Sequence, residues 1–121
     1  KQMIKIIIDT NILLSKDKID IFSEVSRICD FNYKVCILDK TLDELSRKDG
    51  SKLALALLKA KNVDIIKTKK DKNVDDLLLE LADKEKNMII ITQDVKLKRL
   101  LKEKDIKIIT IRQRRYLTFV N

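Results

Sequence analysis

A chain of 121 residues with 27 Lys and Arg against 19 Asp and Glu, a net charge of +8, is expected to build one domain with a real core and is too short for two. It has no histidine, which excludes Ser-His-Asp triads, His-ligated zinc and imidazole general bases, and leaves carboxylates as the side chains suited to chemistry. The positive excess fits a polyanionic partner, since neutralised phosphates release counterions, and fits equally the Lys- and Glu-rich bias of a thermophile.

The first strand, Met3 to Ile8, runs straight into Asp9, Thr10 and Asn11. In an open parallel sheet the ligand crevice lies at the carboxyl ends of the strands, so Asp9 stands where a site is expected; the alternative is a cap on the next turn. Ile19, Phe22, Val25 and Ile28 keep helical spacing and lead to a second strand, Tyr33 to Leu38. The helix carrying Leu42 and Leu45 places Glu44 three residues after Thr41, which a capping box explains as well as a functional role does. Leu53 to Leu58 is helical and Val63 to Ile66 a short strand, and the charged connection from Thr68 to Asn73 is expected to be mobile.

Asn73 reads as an N-cap, with Asp75 and Asp76 in the first turn, where acids offset the helix dipole without any chemistry. The two side chains point about 100° apart, so one at most faces a crevice squarely. Leu77, Leu78 and Leu81 continue that helix. The strand Met88 to Ile91 ends in Thr92, Gln93 and Asp94; Thr92 reads as the next N-cap and Asp94 as a first-turn acid. Leu97, Leu100 and Leu101 keep helical spacing, and a last strand, Lys107 to Ile111, is followed by a short basic tail, residues 112–121.

Near-continuous Ile and Val strands alternating with amphipathic helices make the fold α/β, a parallel sheet with right-handed crossovers and helices on both faces. Cys29 and Cys36 stand in neither metal nor redox spacing and read as buried small hydrophobes. No apolar run reaches the roughly 20 residues of a membrane span and no signal-peptide pattern is present, so a cytoplasmic protein with no membrane partner is expected. The third strand ends in Ile66 and Lys67, with no Asp to phosphorylate, which disfavours a receiver-type phosphoacceptor domain.

In such a sheet Asp9, Glu44, Asp75 or Asp76, and Asp94 converge on one crevice. Unit charges about 4 Å apart repel by about 4 kcal/mol at an effective dielectric near 20, so the cluster takes up protons or a cation, and all-oxygen donors select Mg²⁺ or Mn²⁺. In a chain with 21 Lys and six Arg, Arg112, Arg114 and Arg115 gather after the last strand, suited to phosphate, with Tyr116 placed to stack a base. Lys96, Lys98 and Arg99 form a second candidate RNA-binding patch, and a solvated chain end and a solvated lysine face are the plain alternatives.

At IIIDTNILL, LDELSRK, VDDLLLELA, IIITQDVKLKRLL and ITIRQRRYL the chain resembles the PIN-domain nucleases over nearly its whole length, and most of all the archaeal relatives of Fcf1, the rRNA-processing PIN proteins. The resemblance implies a three-layer α/β/α sandwich on a five-stranded parallel sheet of order 3-2-1-4-5, with Asp9, Glu44, Asp76 and Asp94 as the catalytic acids. It makes Asp9, Asp76 and Asp94 metal ligands, with Asp75 an alternative or auxiliary to Asp76, and Thr10, Asn11 and Thr92 the groups that orient ligands and water. The implied activity is Mg²⁺- or Mn²⁺-dependent endoribonuclease cleavage of single-stranded RNA or structured pre-rRNA, in rRNA processing or RNA turnover. Relatives that have lost activity, and relatives that are toxins held by a partner, leave three further readings open: a catalytically silent RNA-binding or ribosome-assembly module, a toxin with its antitoxin, and a homodimer.

Overall fold

The computed structural model describes residues 3–120. Six strands form one sheet in the order β3-β2-β1-β4-β5-β6. They are β1 (Ile4–Ile8), β2 (Tyr33–Leu38), β3 (Asp64–Ile66), β4 (Met88–Ile91), β5 (Lys107–Arg112) and β6 (Tyr116–Phe119). The first five run parallel, in the order expected, and β6 pairs antiparallel with β5.

Successive strand residues point to opposite faces, so the unbroken Ile run of β1 feeds two cores. Ile6 and Ile8 join Val25, Leu45, Leu58, Ile89 and Ile91 on one side. Ile7 joins Cys36, Leu78, Ile90, Leu97 and Leu101 on the other. The first face is covered by α1 (Thr10–Leu13), α2 (Ile21–Ile28), α3 (Asp39–Ser46) and α4 (Lys52–Ala60), and the second by α5 (Val74–Lys84) and α6 (Val95–Glu103). The three-layer α/β/α arrangement is therefore present. Cys29 and Cys36 are free and buried, and burial pushes the Cys36 thiol up to about 11, which keeps it protonated and inert.

The expected five-stranded sheet and basic tail need correction. Residues 116–119 return along β5 as β6, with Leu117 fully buried opposite Ile111. The turn is built on Gln113 and Arg114, both in the left-handed region (φ 54° and 58°), and closed by the Arg115 N–H on the Arg112 carbonyl. Hairpin turns of this kind normally announce themselves with Asn or Gly, and neither is there. The outer edge of β6 is not bare: the Leu117 N–H donates to Glu24 Oε1 at 2.9 Å, and Arg27 of the same helix donates to the Leu117 carbonyl at 2.9 Å.

The connection from Thr68 to Asn73, expected to be mobile, is fastened to the start of α3. Asp39 accepts both the Thr68 N–H (2.9 Å) and the Thr68 hydroxyl (2.6 Å), and Lys70 pairs with Asp43 at 3.2 Å. Asp39 follows β2 as Asp9 follows β1, but its two oxygens are spent on this clip.

Candidate active site

Ile8 pairs with Ile91, which sets the carboxyl ends of β1 and β4 side by side. Asp9, 2 % exposed, accepts the Thr92 hydroxyl on Oδ2 at 2.8 Å. The Thr92 oxygen accepts the Asp94 N–H at 3.1 Å, and Asp94 Oδ1 accepts the Leu97 N–H at 2.8 Å. One buried hydroxyl thus ties together the acids that leave two neighbouring strands. Asp94, rather than Thr92, is the N-cap of α6. Asp9 stands at the N-cap position of α1 without a side-chain capping bond, so capping does not account for a carboxylate buried there.

The capping box expected from Thr41 and Glu44 does not form, because α3 already begins at Asp39 with Leu38 as its N-cap. Thr41 is turned inward, where its oxygen accepts the Thr10 hydroxyl at 3.0 Å and locks α1 to α3. Glu44 is left free to line a depression of about 400 Å³ with Asp9, Thr10, Asn11, Asn73 and Asp75. A second depression, about 200 Å³, is bordered by Asp76, Asp94, Lys96 and the apolar side chains of Leu79, Leu97 and Leu100. Asn73 and Asp75 belong to both and form the ridge between them. Asn73 caps α5 as expected, accepting the Asp76 N–H at 2.9 Å.

Electrostatics picks out the same ridge. Burial, then the charges of Asp9, Asp94, Asp76 and Glu44, push the Asp75 carboxyl up to about 6 from its usual 3.8. Burial also raises Asp9, against the opposing Thr92 hydrogen bond, with Asp94 and Glu44 adding to the rise. Of the adjacent pair, Asp75 is half-buried among the acids and Asp76 is exposed, bordering the smaller depression alone.

The expected basic residues divide. Lys96 borders the acids, whereas Lys98 and Arg99 line neither depression. Arg112, Arg114 and Arg115 sit at the β5–β6 turn, with Arg114 paired to Asp17 at 3.2 Å and Tyr116 half-buried at the start of β6. Arg47 and Lys48, at the end of α3, border the larger depression and were missed by the sequence reading. The signal for them was their place one turn beyond Glu44 in LDELSRK.

A family model described as a PIN-like domain matches residues 6–114. The chain belongs to the PIN-like domain family. This PIN domain is 34 % identical over 125 residues to "Ribonuclease VapC4" of Methanocaldococcus jannaschii, covering 94 % of this chain and 95 % of that protein. Its fold is similar to that in the "Structure of the PIN domain endonuclease Utp24", with a TM-score of 0.83 at 23 % identity, covering 95 % of this chain and 90 % of that one. The PIN-domain nuclease reading of the sequence holds at the level of the family.

Nucleases of this kind generally use divalent metal ions, and the donors of this PIN domain suit one. They are carboxylates with Thr and Asn oxygens, and their mutual repulsion, visible in Asp75 and Asp9, is what a cation relieves. Among the described residues no three acids are drawn tightly enough to enclose an ion.

The raised Asp75 carboxyl has a measurable consequence. Between about pH 4 and pH 6 the folded protein holds a proton on Asp75 that the unfolded chain has already released, so stability falls as pH rises through this window. In chelator at pH 8, Asp75→Asn is expected to stabilise the fold by about 1 kcal/mol, a value discounted for partial exposure, or about 4 °C in Tm. The gain should vanish at pH 4 and shrink in saturating Mg²⁺. Thermal melts across pH check this, and a gain independent of pH would place the effect elsewhere than in the Asp75 charge.

Proposed function

We propose that the protein is a metal-dependent endoribonuclease that hydrolyses phosphodiester bonds of single-stranded RNA, in RNA turnover or rRNA processing. The carrying observation is the carboxylate set at the carboxyl edge of the sheet: Asp9 buried and bound to Thr92, Asp94 bound to the same threonine through its N–H, and Asp75 with its carboxyl raised between them. The family match and the relative named as a ribonuclease support the choice of reaction.

In this reading Asp9, Asp75 and Asp94 are the groups that would hold Mg²⁺ or Mn²⁺. When bound, such an ion supplies Lewis acidity and a water of lowered pKa for attack on phosphorus. The rest falls to the chain's own side chains. The Thr92 hydroxyl holds the Asp9 carboxylate in one orientation through its Oδ2. Glu44 and Asp76, from opposite ends of the ridge, orient water by hydrogen bonding, and Asn11 and Asn73 offer amides to it. Thr10, spent on Thr41, holds the backbone of the site rather than the substrate. Cleavage of a 5′-labelled single-stranded RNA in Mn²⁺, abolished by chelator and restored by added metal, is the expected result. Binding without cleavage at any metal concentration would leave the silent RNA-binding module as the better account.

One observation favours a partner-held version of the same enzyme, the toxin reading. A groove of about 390 Å³ beside the acids is lined by Ile12, Leu13, Leu14, Ala54, Leu57 and Leu53, the last 81 % exposed. A small protein encoded next to this chain that co-purifies with it and suppresses cleavage is the result this version requires.

A further inference from the structure

Eight ion pairs join charged side chains among the described residues, and they engage Glu24, Asp17, Asp43, Asp64, Asp71, Glu80, Asp83 and Glu85. None involves the acids of the two depressions. None involves Arg47, Lys48 or Lys96, although these cations border the same depressions and are exposed. Acids and cations therefore share one edge of the sheet without neutralising each other. An exposed ion pair is worth only about 0–1 kcal/mol, so leaving these charges apart costs the fold little and keeps both sets open to a ligand.

The two sets are also ordered in space. Arg47 and Lys48 belong to the larger depression, Lys96 to the smaller, and Asp75 with Asn73 to the ridge between. The end of α3 is held in place by the Ser51 hydroxyl, which reaches the carbonyls of both Leu45 and Lys48. Lys96 stands in the first turn of α6, two residues after the Asp94 cap. The turn arginines differ, because Arg114 is already occupied by Asp17.

We infer that the RNA backbone crosses this edge between two cationic banks, with Arg47 and Lys48 holding phosphates on one side of the cleaved linkage and Lys96 holding a phosphate on the other, so that the linkage lies over Asp75. The inference rests on the ribonuclease reading above and adds the direction of the substrate path. It places the main phosphate contacts of the bound strand on α3 and the start of α6 rather than on the β5–β6 turn.

The test measures binding of a 5′-fluorescent single-stranded RNA 12-mer by anisotropy in chelator, where nothing is cut, from 50 to 200 mM KCl. Each single-strand phosphate contact contributes about 0.7 to the slope of log affinity against log salt. The triple variant Arg47→Ala, Lys48→Ala, Lys96→Ala is expected to lose about 2 from that slope, so that over this range the wild type weakens about 20-fold more than the variant. With Mn²⁺ restored, KM should rise while kcat changes little, and Tm should stay near that of the wild type. Arg112→Ala, Arg114→Ala, Arg115→Ala should flatten the slope less.

An unchanged slope in the first triple, or a larger loss in the second, overturns the path. The enzyme reading would then survive if Mn²⁺-dependent cleavage persists and is lost in Asp9→Asn. A wild type that binds through these three cations but never cleaves would keep the path and sink the enzyme. No binding by the wild type in chelator overturns the path, and no cleavage in Mn²⁺ besides overturns the enzyme.

Discussion

Asp9→Asn is expected to lower Mn²⁺-dependent cleavage of single-stranded RNA by at least 10²- to 10³-fold, about the scale on which removal of one preorganised electrostatic group acts. The substitution is nearly isosteric. The Asn Oδ1 can still accept the Thr92 hydroxyl, which bonds Asp9 at 2.8 Å, so the join between β1 and β4 survives. What disappears is a negative charge whose burial already raises its pKa and whose neighbours Asp94 and Glu44 oppose it further. The fold should therefore melt no lower than the wild type in chelator at neutral pH, while the affinity for Mn²⁺ in calorimetry drops. Equal cleavage by mutant and wild type would mean that another site, or a contaminating nuclease, does the cutting.

Thr92→Val carries the second large effect, and it strikes stability and activity together. Thr92 is fully buried, donates to Asp9 and accepts from the Asp94 N–H. Valine fills the same space and does neither. It leaves a buried carboxylate oxygen without a donor and an N–H without an acceptor, which together cost about 2–3 kcal/mol, or roughly 10 °C in Tm. Cleavage should fall about 10- to 100-fold, as when a partner that orients a metal ligand is removed. Thr92→Ser keeps the hydroxyl and should recover most of both losses. A serine variant as damaged as the valine one would trace the effect to the lost methyl and its packing, not to the hydrogen bonds.

What the sequence made legible follows from what local pattern can encode. Uninterrupted Ile runs suit strands buried on both faces of a covered parallel sheet, so the sheet and the place of Asp9 at the end of β1 could be read from pattern, whereas the order of the first five strands came only with the resemblance to the PIN family. Local pattern read Thr92 as a cap because its neighbours suggest one, whereas its decisive partner is 83 residues away; only the resemblance offered it as a group that orients a ligand. The choice between Asp75 and Asp76 depends on how α5 is rotated against the sheet, which Leu77 and Leu78 set by packing into the core and no spacing rule states. Helix α1, at four residues, is too short to show a period. Thr41 and Glu44 have the spacing of a capping box, but the helix starts three residues earlier than that box requires, with Leu38 rather than Thr41 as its N-cap, and that shift turns the same threonine from a cap into an internal tie. The hairpin of β5 and β6 stayed hidden because Gln113 and Arg114 take positive φ without the residues that usually mark it.

The fork formed by Glu24 and Arg27 on Leu117 has a consequence for assembly. An outermost strand with free N–H and C=O groups is a template on which another chain can add itself. Here one residue of β6, Leu117, already has an acceptor for its N–H and a donor for its carbonyl, supplied as a charged pair from α2 rather than by a neighbouring strand. A strand arriving from another molecule would have to displace that pair before it could bond to Leu117. At the opposite edge β3 offers only three residues, flanked by the Lys34–Asp64 pair. Growth of the sheet from molecule to molecule is therefore opposed at both ends.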